Sequence, residues 1–157
     1  MDPIQISKEE MLKRVARFTE LMPMDYSQMK GGDDVPRSMR GFSVIGHVTK
    51  TAPAIPAEHG FTLAFNQVQP GKGAPLHSHS VVEVFVPLSG RWKFFWGEDG
   101  KGEVELGPWD TISFPAGLME GFRNISDQEG TLLVVLGGPD VGEITYRKNE
   151  EQPTTSA

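Results

Sequence analysis

The chain has 157 residues, no cysteine and a formal net charge of −6. That length suits one domain with a sizeable core. The missing cysteines exclude disulfides, zinc knuckles and thiol catalysis, so any metal must rest on nitrogen and oxygen. The basic residues are scattered, which speaks against a nucleic-acid partner, because phosphate binding needs a clustered basic face.

The opening "MDPIQISKEEML" has no basic n-region and no apolar h-region, so no secretion signal is expected there. No apolar run approaches the roughly 20 residues that span a bilayer. The expectation is a cytoplasmic protein with no membrane partner. A helix is predicted over "SKEEMLKRVARFTELM". Ser7 and Glu10 make an S-x-x-E capping box, Met11, Val15, Phe18 and Met22 recur at helical spacing, and Pro23 ends the run. "MKGGDDVPRSM" reads as a loop. Strand-length runs follow: "FSVIGHV", "FTLAFNQV", "VEVFVPL", "WKFFW", "EVEL", "TISF", "GFRNI" and "TLLVVLG", separated by turn signals such as "QPGKGAP", "GEDGKG" and "SDQEG". Short strands at this spacing argue for an antiparallel sandwich or barrel. The polar tail "KNEEQPTTSA" is expected to be disordered.

The segment "PLHSHSVVEVFVPLSG" puts three lone-pair-bearing side chains into a run that otherwise reads as core. His77 and His79 are two apart, so on a strand they share a face with Cα atoms about 6.6 Å apart. Both imidazoles can then reach one ion at about 2.0–2.2 Å. On a straight strand Glu83 would lie roughly 13 Å beyond His79, too far to share that ion. A common metal therefore requires a bend over "SVV", with Glu83 opening the next strand. A bare H-x-H could equally be a solvated strand face. His47 and His59 read as a strand-end and a surface histidine.

The frame around these residues resembles the cupins, a family of small jelly-roll β-barrels. The first cupin motif, G-x5-H-x-H-x3-E-x6-G, is matched at every fixed position by Gly71, His77, His79, Glu83 and Gly90. The second, G-x5-P-x-G-x2-H-x3-N, is matched by Pro115, Gly117 and Asn124. It departs at Trp109, where the first glycine belongs, and at Glu120, where the histidine belongs. The resemblance spans Phe42 to Tyr146. It implies an all-β, cupin-type double-stranded β-helix (jelly-roll barrel) over 41–147, with an N-terminal helical arm at 1–40 and a tail at 148–157.

The resemblance also implies that His77, His79 and Glu83 hold one divalent metal, with Glu120 in the fourth place. Two carboxylates and a divalent cation sum to zero charge, a sensible state in a low-dielectric barrel. The mixed N/O set favours Fe(II) or Mn(II), with Ni(II) and Zn(II) also compatible. Alternatively Glu120 stands off the metal as a general acid/base. Without an ion, Glu83 and Glu120 would face each other as like charges, and at least one should take up a proton.

Strand parity turns Phe85 to the same side as Glu83, and Phe122 and Asn124 to the same side as Glu120. "RWKFFW" turns either Trp92, Phe94 and Trp96 or Arg91, Lys93 and Phe95 inward. With Phe114 and Met119 beside the second motif, the expected substrate pocket comprises Phe85, Trp92, Phe94, Phe114, Met119, Phe122 and Asn124. A mostly apolar cavity of this kind suits a small aromatic, enol or diketone-like substrate. The leading expectation is a metal-dependent dioxygenase. Its rivals are a non-redox isomerase, decarboxylase or lyase, and a ligand-binding protein without catalysis. The resemblance further suggests a homodimer.

Overall fold

The computed structural model describes residues 3–27 and 35–147. Among them ten strands form two five-stranded sheets, antiparallel throughout. They are β1 (Met39–Ile45), β2 (Thr62–Val68), β3 (Gly73–His79), β4 (Glu83–Ser89), β5 (Trp92–Trp96), β6 (Gly102–Leu106), β7 (Ile112–Phe114), β8 (Glu120–Asn124), β9 (Gly130–Leu136) and β10 (Ile144–Tyr146). One sheet runs β1-β2-β9-β4-β7 and the other β10-β3-β8-β5-β6. This is the expected all-β, two-sheet barrel. No described helix is long and apolar enough to cross a membrane.

The inward faces follow the period-two patterning of the sequence. In β9, Gly130, Leu132, Val134 and Leu136 are buried while Thr131, Leu133 and Val135 are half-buried. Val68, Phe85, Trp92, Phe94, Phe114, Phe122, Leu132, Val134 and Leu136 form the core between the sheets. Phe85 sits 5.3 Å from Phe94 and 5.2 Å from Phe122 between ring centroids, both tilted. Each such side chain contributes about 1.5–3 kcal/mol through burial, and aromatic pairs add roughly 0.5–1.5 kcal/mol.

The N-terminal helix is much shorter than its periodicity predicts. The capping box forms as read, but α1 covers only Lys8–Leu12, and a single 3-10 turn follows at Phe18–Glu20. No residue of α1 is buried. A helix below about 12–15 residues is marginal without a packed face. Phe18 packs instead, from an otherwise irregular arm, on the outer side of the first sheet. Its ring lies 5.1 Å from Phe42 and 5.7 Å from Phe65. Within the predicted loop, Val35–Ser38 form one helical turn, α2. The first strand begins at Met39 and ends at Ile45, before His47. β3 starts inside the stretch read as a turn, and β10 was not predicted. The tail expected to be disordered, 148–157, lies outside the described residues.

Two motif positions show what the turns demand. Gly71 has φ 72°, a left-handed conformation that glycine adopts without steric cost, and its N–H donates to the Asn124 carbonyl at 2.8 Å. Trp109, in a motif glycine's place, keeps the left-handed backbone at φ 72° and donates its N–H to the Pro87 carbonyl at 2.9 Å. The turn is thus kept at a steric cost to the tryptophan.

Candidate metal centre

β3 carries the two histidines and pairs with β8, but its register shifts between Ala74 and His77. Ala74 lies opposite Phe122 and His77 opposite Glu120, so β3 spends one extra residue there. The surplus falls at Pro75–Leu76, where proline has no N–H to give the ladder. A bulge of this kind re-aims the side chains beyond it. Without it, the face of Ala74 would continue through Leu76 and Ser78. With it, His77 and His79 turn into the barrel on the side of Glu120 and Phe122.

The bend required between His79 and Glu83 is present. β3 ends at His79 in one sheet and β4 begins at Glu83 in the other. The crossing is pinned on both sides. Ser80 exchanges hydrogen bonds with Glu143, its N–H to the Glu143 carbonyl at 2.9 Å and its hydroxyl accepting from the Glu143 N–H at 2.8 Å. Gly137 N–H donates to the Val82 carbonyl at 2.9 Å. The second motif is tied to the first by Gly117 N–H, which donates to the His79 carbonyl at 2.8 Å.

These elements bring His77, His79, Glu83 and Glu120 together, each offering one donor atom within 4.8 Å of the others. All four are buried, at 9%, 7%, 5% and 2% exposure. His79 Nδ1 donates to the Val141 carbonyl and His77 Nδ1 to the Pro75 carbonyl, both at 2.8 Å. A carbonyl can only accept, so in each neutral ring Nδ1 carries the hydrogen and Nε2 keeps its lone pair. His79 Nε2 stands 3.4 Å from Glu83 Oε2. Oε2 of Glu83 and Oε2 of Glu120 are buried without a hydrogen-bond partner.

Such convergence of lone pairs is stable only around a cation. In the metal-free protein that cation is a proton. Burial, a hydrogen bond with Glu83 and the charge of Glu83 push the Glu120 carboxyl up to about 10. Burial holds His77 below the usual imidazole range, keeping it neutral at pH 7. Donors about 2.1 Å from one ion are roughly 3.4 Å apart in a tetrahedral shell, so donors within 4.8 Å of one another need to close by no more than about 1.4 Å to share an ion. Two imidazoles and two carboxyl groups, each of the latter with one orphaned oxygen, fit a divalent metal.

A cavity of about 300 Å³ opens onto His77, His79 and Glu83. Its wall corrects the expected pocket. Phe122 alone of the seven predicted residues lines it. Phe85, Trp92, Phe94 and Phe114 are inward as parity required, but they pack on one another and fill the barrel. Trp92 Nε1 is satisfied by the Ser89 carbonyl at 2.9 Å. Asn124 is a structural hub: its amide donates to the Val68 and Gln128 carbonyls, and its oxygen accepts from Ser126 N–H. Met119 is half-buried and away from the cavity. His47 and His59 are not among the four clustered residues.

The cavity lies where inward side chains are small: Ala64, Val134 and Leu136 of the first sheet and Ala74 of the second. Met39 and Tyr26 line it from the N-terminal side, and Ile144 and Tyr146 of β10 from the other. The Tyr146 ring stacks on His77 at 6.0 Å and 26°. Asn66, a polar residue at inward parity in "FTLAFNQV", was the available signal for this wall. Among the described residues no lysine or arginine lines it, and Glu120 does not line it either.

Residues 64–136 match the family model described as Cupin domain. With the two-sheet barrel and the first motif, this makes the chain a carrier of a cupin domain with the cupin fold. Solved structures of the same fold include the polyketide cyclase RemF from Streptomyces resistomycificus, at 19% identity over 88% of each chain and TM-score 0.68. The DMSP lyase DddQ from Ruegeria pomeroyi DSS-3 matches at 21% identity over 84% of this chain and 64% of its own, with TM-score 0.65. A sugar phosphate isomerase from Silicibacter pomeroyi matches at 20% identity over 77% and 73%, with TM-score 0.61. At these identities the likeness is one of fold. A search of curated protein sequences finds no significant match.

Proposed function

We propose that the protein is a metal-dependent enzyme of dioxygenase type, acting on a small, largely apolar substrate that carries an enol, phenol or diketone oxygen. The observation that carries this reading is the group of four buried donors, three of which open onto a cavity that no lysine or arginine lines among the described residues. His77, His79, Glu83 and Glu120 would hold the ion. Fe(II) or Mn(II) are the proposed metals, because the two carboxylates make the mixed N/O donor set a comparatively hard one. When bound, a redox-active divalent metal supplies Lewis-acid polarisation of a substrate oxygen and activation of dioxygen.

The chain's own residues do the rest. The Pro75 and Val141 carbonyls hold the imidazoles in the tautomer that presents Nε2. Because Glu120 does not line the cavity, we assign it a ligand's place rather than that of an acid/base touching substrate. Apolar walls from Ala64, Val134, Leu136 and Phe122 exclude water and select against phosphates and sugars. We further propose a homodimer. Ile4, Met11, Leu12 and Met22 along the arm are largely exposed, an apolar surface that a second copy would cover.

The test is oxygen consumption by protein loaded separately with Fe(II), Mn(II), Ni(II) and Zn(II), against a panel of phenols, enols and diketones. Substrate-dependent oxygen uptake with Fe(II) or Mn(II) is expected. Turnover that proceeds equally under anaerobic conditions would contradict the dioxygenase reading and assign a lyase or isomerase reaction.

A further inference from the structure

Tyr26 lies on the N-terminal arm, yet it is only 4% exposed and lines the cavity. The arm is fixed by the two residues just before it. Met24 N–H donates to the Gly41 carbonyl at 2.8 Å, and Asp25 N–H donates to Thr51 Oγ1 at 2.9 Å. The Tyr26 hydroxyl rests on Gly41, where a Cβ would overlap it. Gly41 is the cross-strand partner of Asn66, whose side chain also lines the cavity. Phenol and carboxamide therefore stand at one level of the barrel. Neither has a hydrogen-bond partner among the described residues.

That level is remote from the metal group. Asn66 is in register with Leu132 and Pro87, whereas Glu83 is in register with Leu136 and Thr62. Four residues along a strand and two strands across correspond to roughly 13 Å and about 10 Å. The cavity thus has one polar pole at the candidate metal donors and a second that is uncharged.

We propose that Tyr26 and Asn66 bind a neutral hydroxyl or carbonyl oxygen at the far end of the substrate, so that the N-terminal arm completes the substrate site. The inference rests on the reading of this cavity as the site of turnover. Burial holds the Tyr26 hydroxyl in its protonated form, able to donate. A carboxamide and a phenol offer donors and acceptors without net charge, and among the described residues no cationic side chain lines the cavity to reward an anion.

Calorimetric titration of the metal-loaded full chain with two probes tests this. One is β-naphthol; the other is the naphthalenediol that carries a second hydroxyl on the far ring. The diol should bind wild type about tenfold tighter. Tyr26→Phe and Asn66→Leu should each cut that preference by about three- to tenfold and leave β-naphthol affinity within about twofold. Equal affinity of wild type for both probes, or a preference that survives in both variants, overturns the inference and leaves the metal reading standing. Metal content is measured on the same samples. Wild-type chain that takes up no metal contradicts the proposed function, while the probe comparison still decides the role of Tyr26 and Asn66.

Discussion

Glu120 holds a proton that a metal must displace. Its carboxyl is raised to about 10 by burial, the hydrogen bond with Glu83 and the charge of Glu83. In the unfolded chain it would release that proton near its ordinary 4.5. The folded, metal-free protein therefore draws stability from this proton fully below about 4.5 and loses it as pH rises towards about 10. His77 acts with the opposite sign. Its lowered pKa favours the fold above the ordinary 6.5 and costs stability as pH falls below it. In scanning calorimetry with chelator present, the melting temperature should drop between pH 7 and pH 9, and Glu120→Gln should flatten that slope. Equal slopes in both proteins would contradict the assignment. The same variant should weaken metal binding by at least about tenfold. It should also abolish the proton released on metal uptake at pH 7, read from titrations in buffers of different ionisation enthalpy. The exchange of histidine for glutamate was legible in the motif frame. That the resulting pair faces each other in the barrel needed the register of β3 on β8.

At the scale of the element, the bulge at Pro75–Leu76 decides whether a metal centre exists. Deleting Pro75 should restore regular pairing with β8 and turn His77 and His79 outward. Metal content by elemental analysis should then fall to background in protein that keeps its β-sheet circular dichroism. Retained metal would show that the bulge does not aim the histidines. The turn at Trp109 offers a separate check. Its ring is 76% exposed, so Trp109→Gly loses little packing and relieves the left-handed strain. Net stabilisation of up to about 1 kcal/mol is expected, less than the roughly 1–2 kcal/mol of strain because glycine is freer when unfolded. The bend between His79 and Glu83 could be deduced from distance alone. The helix over residues 7–22 could not be tested that way. Its apolar spacing is helical, but no partner surface covers Met11 or Val15, and the packing of Phe18 on Phe42 and Phe65 prevails.

For the whole molecule, the sequence specified the barrel, because turn glycines, alternating strands and two motif frames all agree. It did not reveal the cavity. Parity identifies which side chains point inward, but not which of them fill the space. Phe85, Phe94 and Phe114 pack solidly, and the opening falls where Ala64, Ala74 and Asn66 leave room. The four candidate donors come from β3, β4 and β8 and so span both sheets, and a bound ion should brace the entire barrel. At a free metal concentration of about 100 times Kd, stabilisation is roughly 2.7 kcal/mol, or about 5–10 °C in Tm for a domain of this size. Chelator should reverse that shift, and an unchanged Tm would place the ion outside the fold.

The most direct measurement is an anomalous-difference map from a crystal grown with Fe(II) or Mn(II), collected on both sides of the metal's absorption edge. One strong peak should lie about 2.0–2.3 Å from donor atoms of His77, His79, Glu83 and Glu120 together. No peak between these four residues, or a peak bound only elsewhere, would contradict the metal centre.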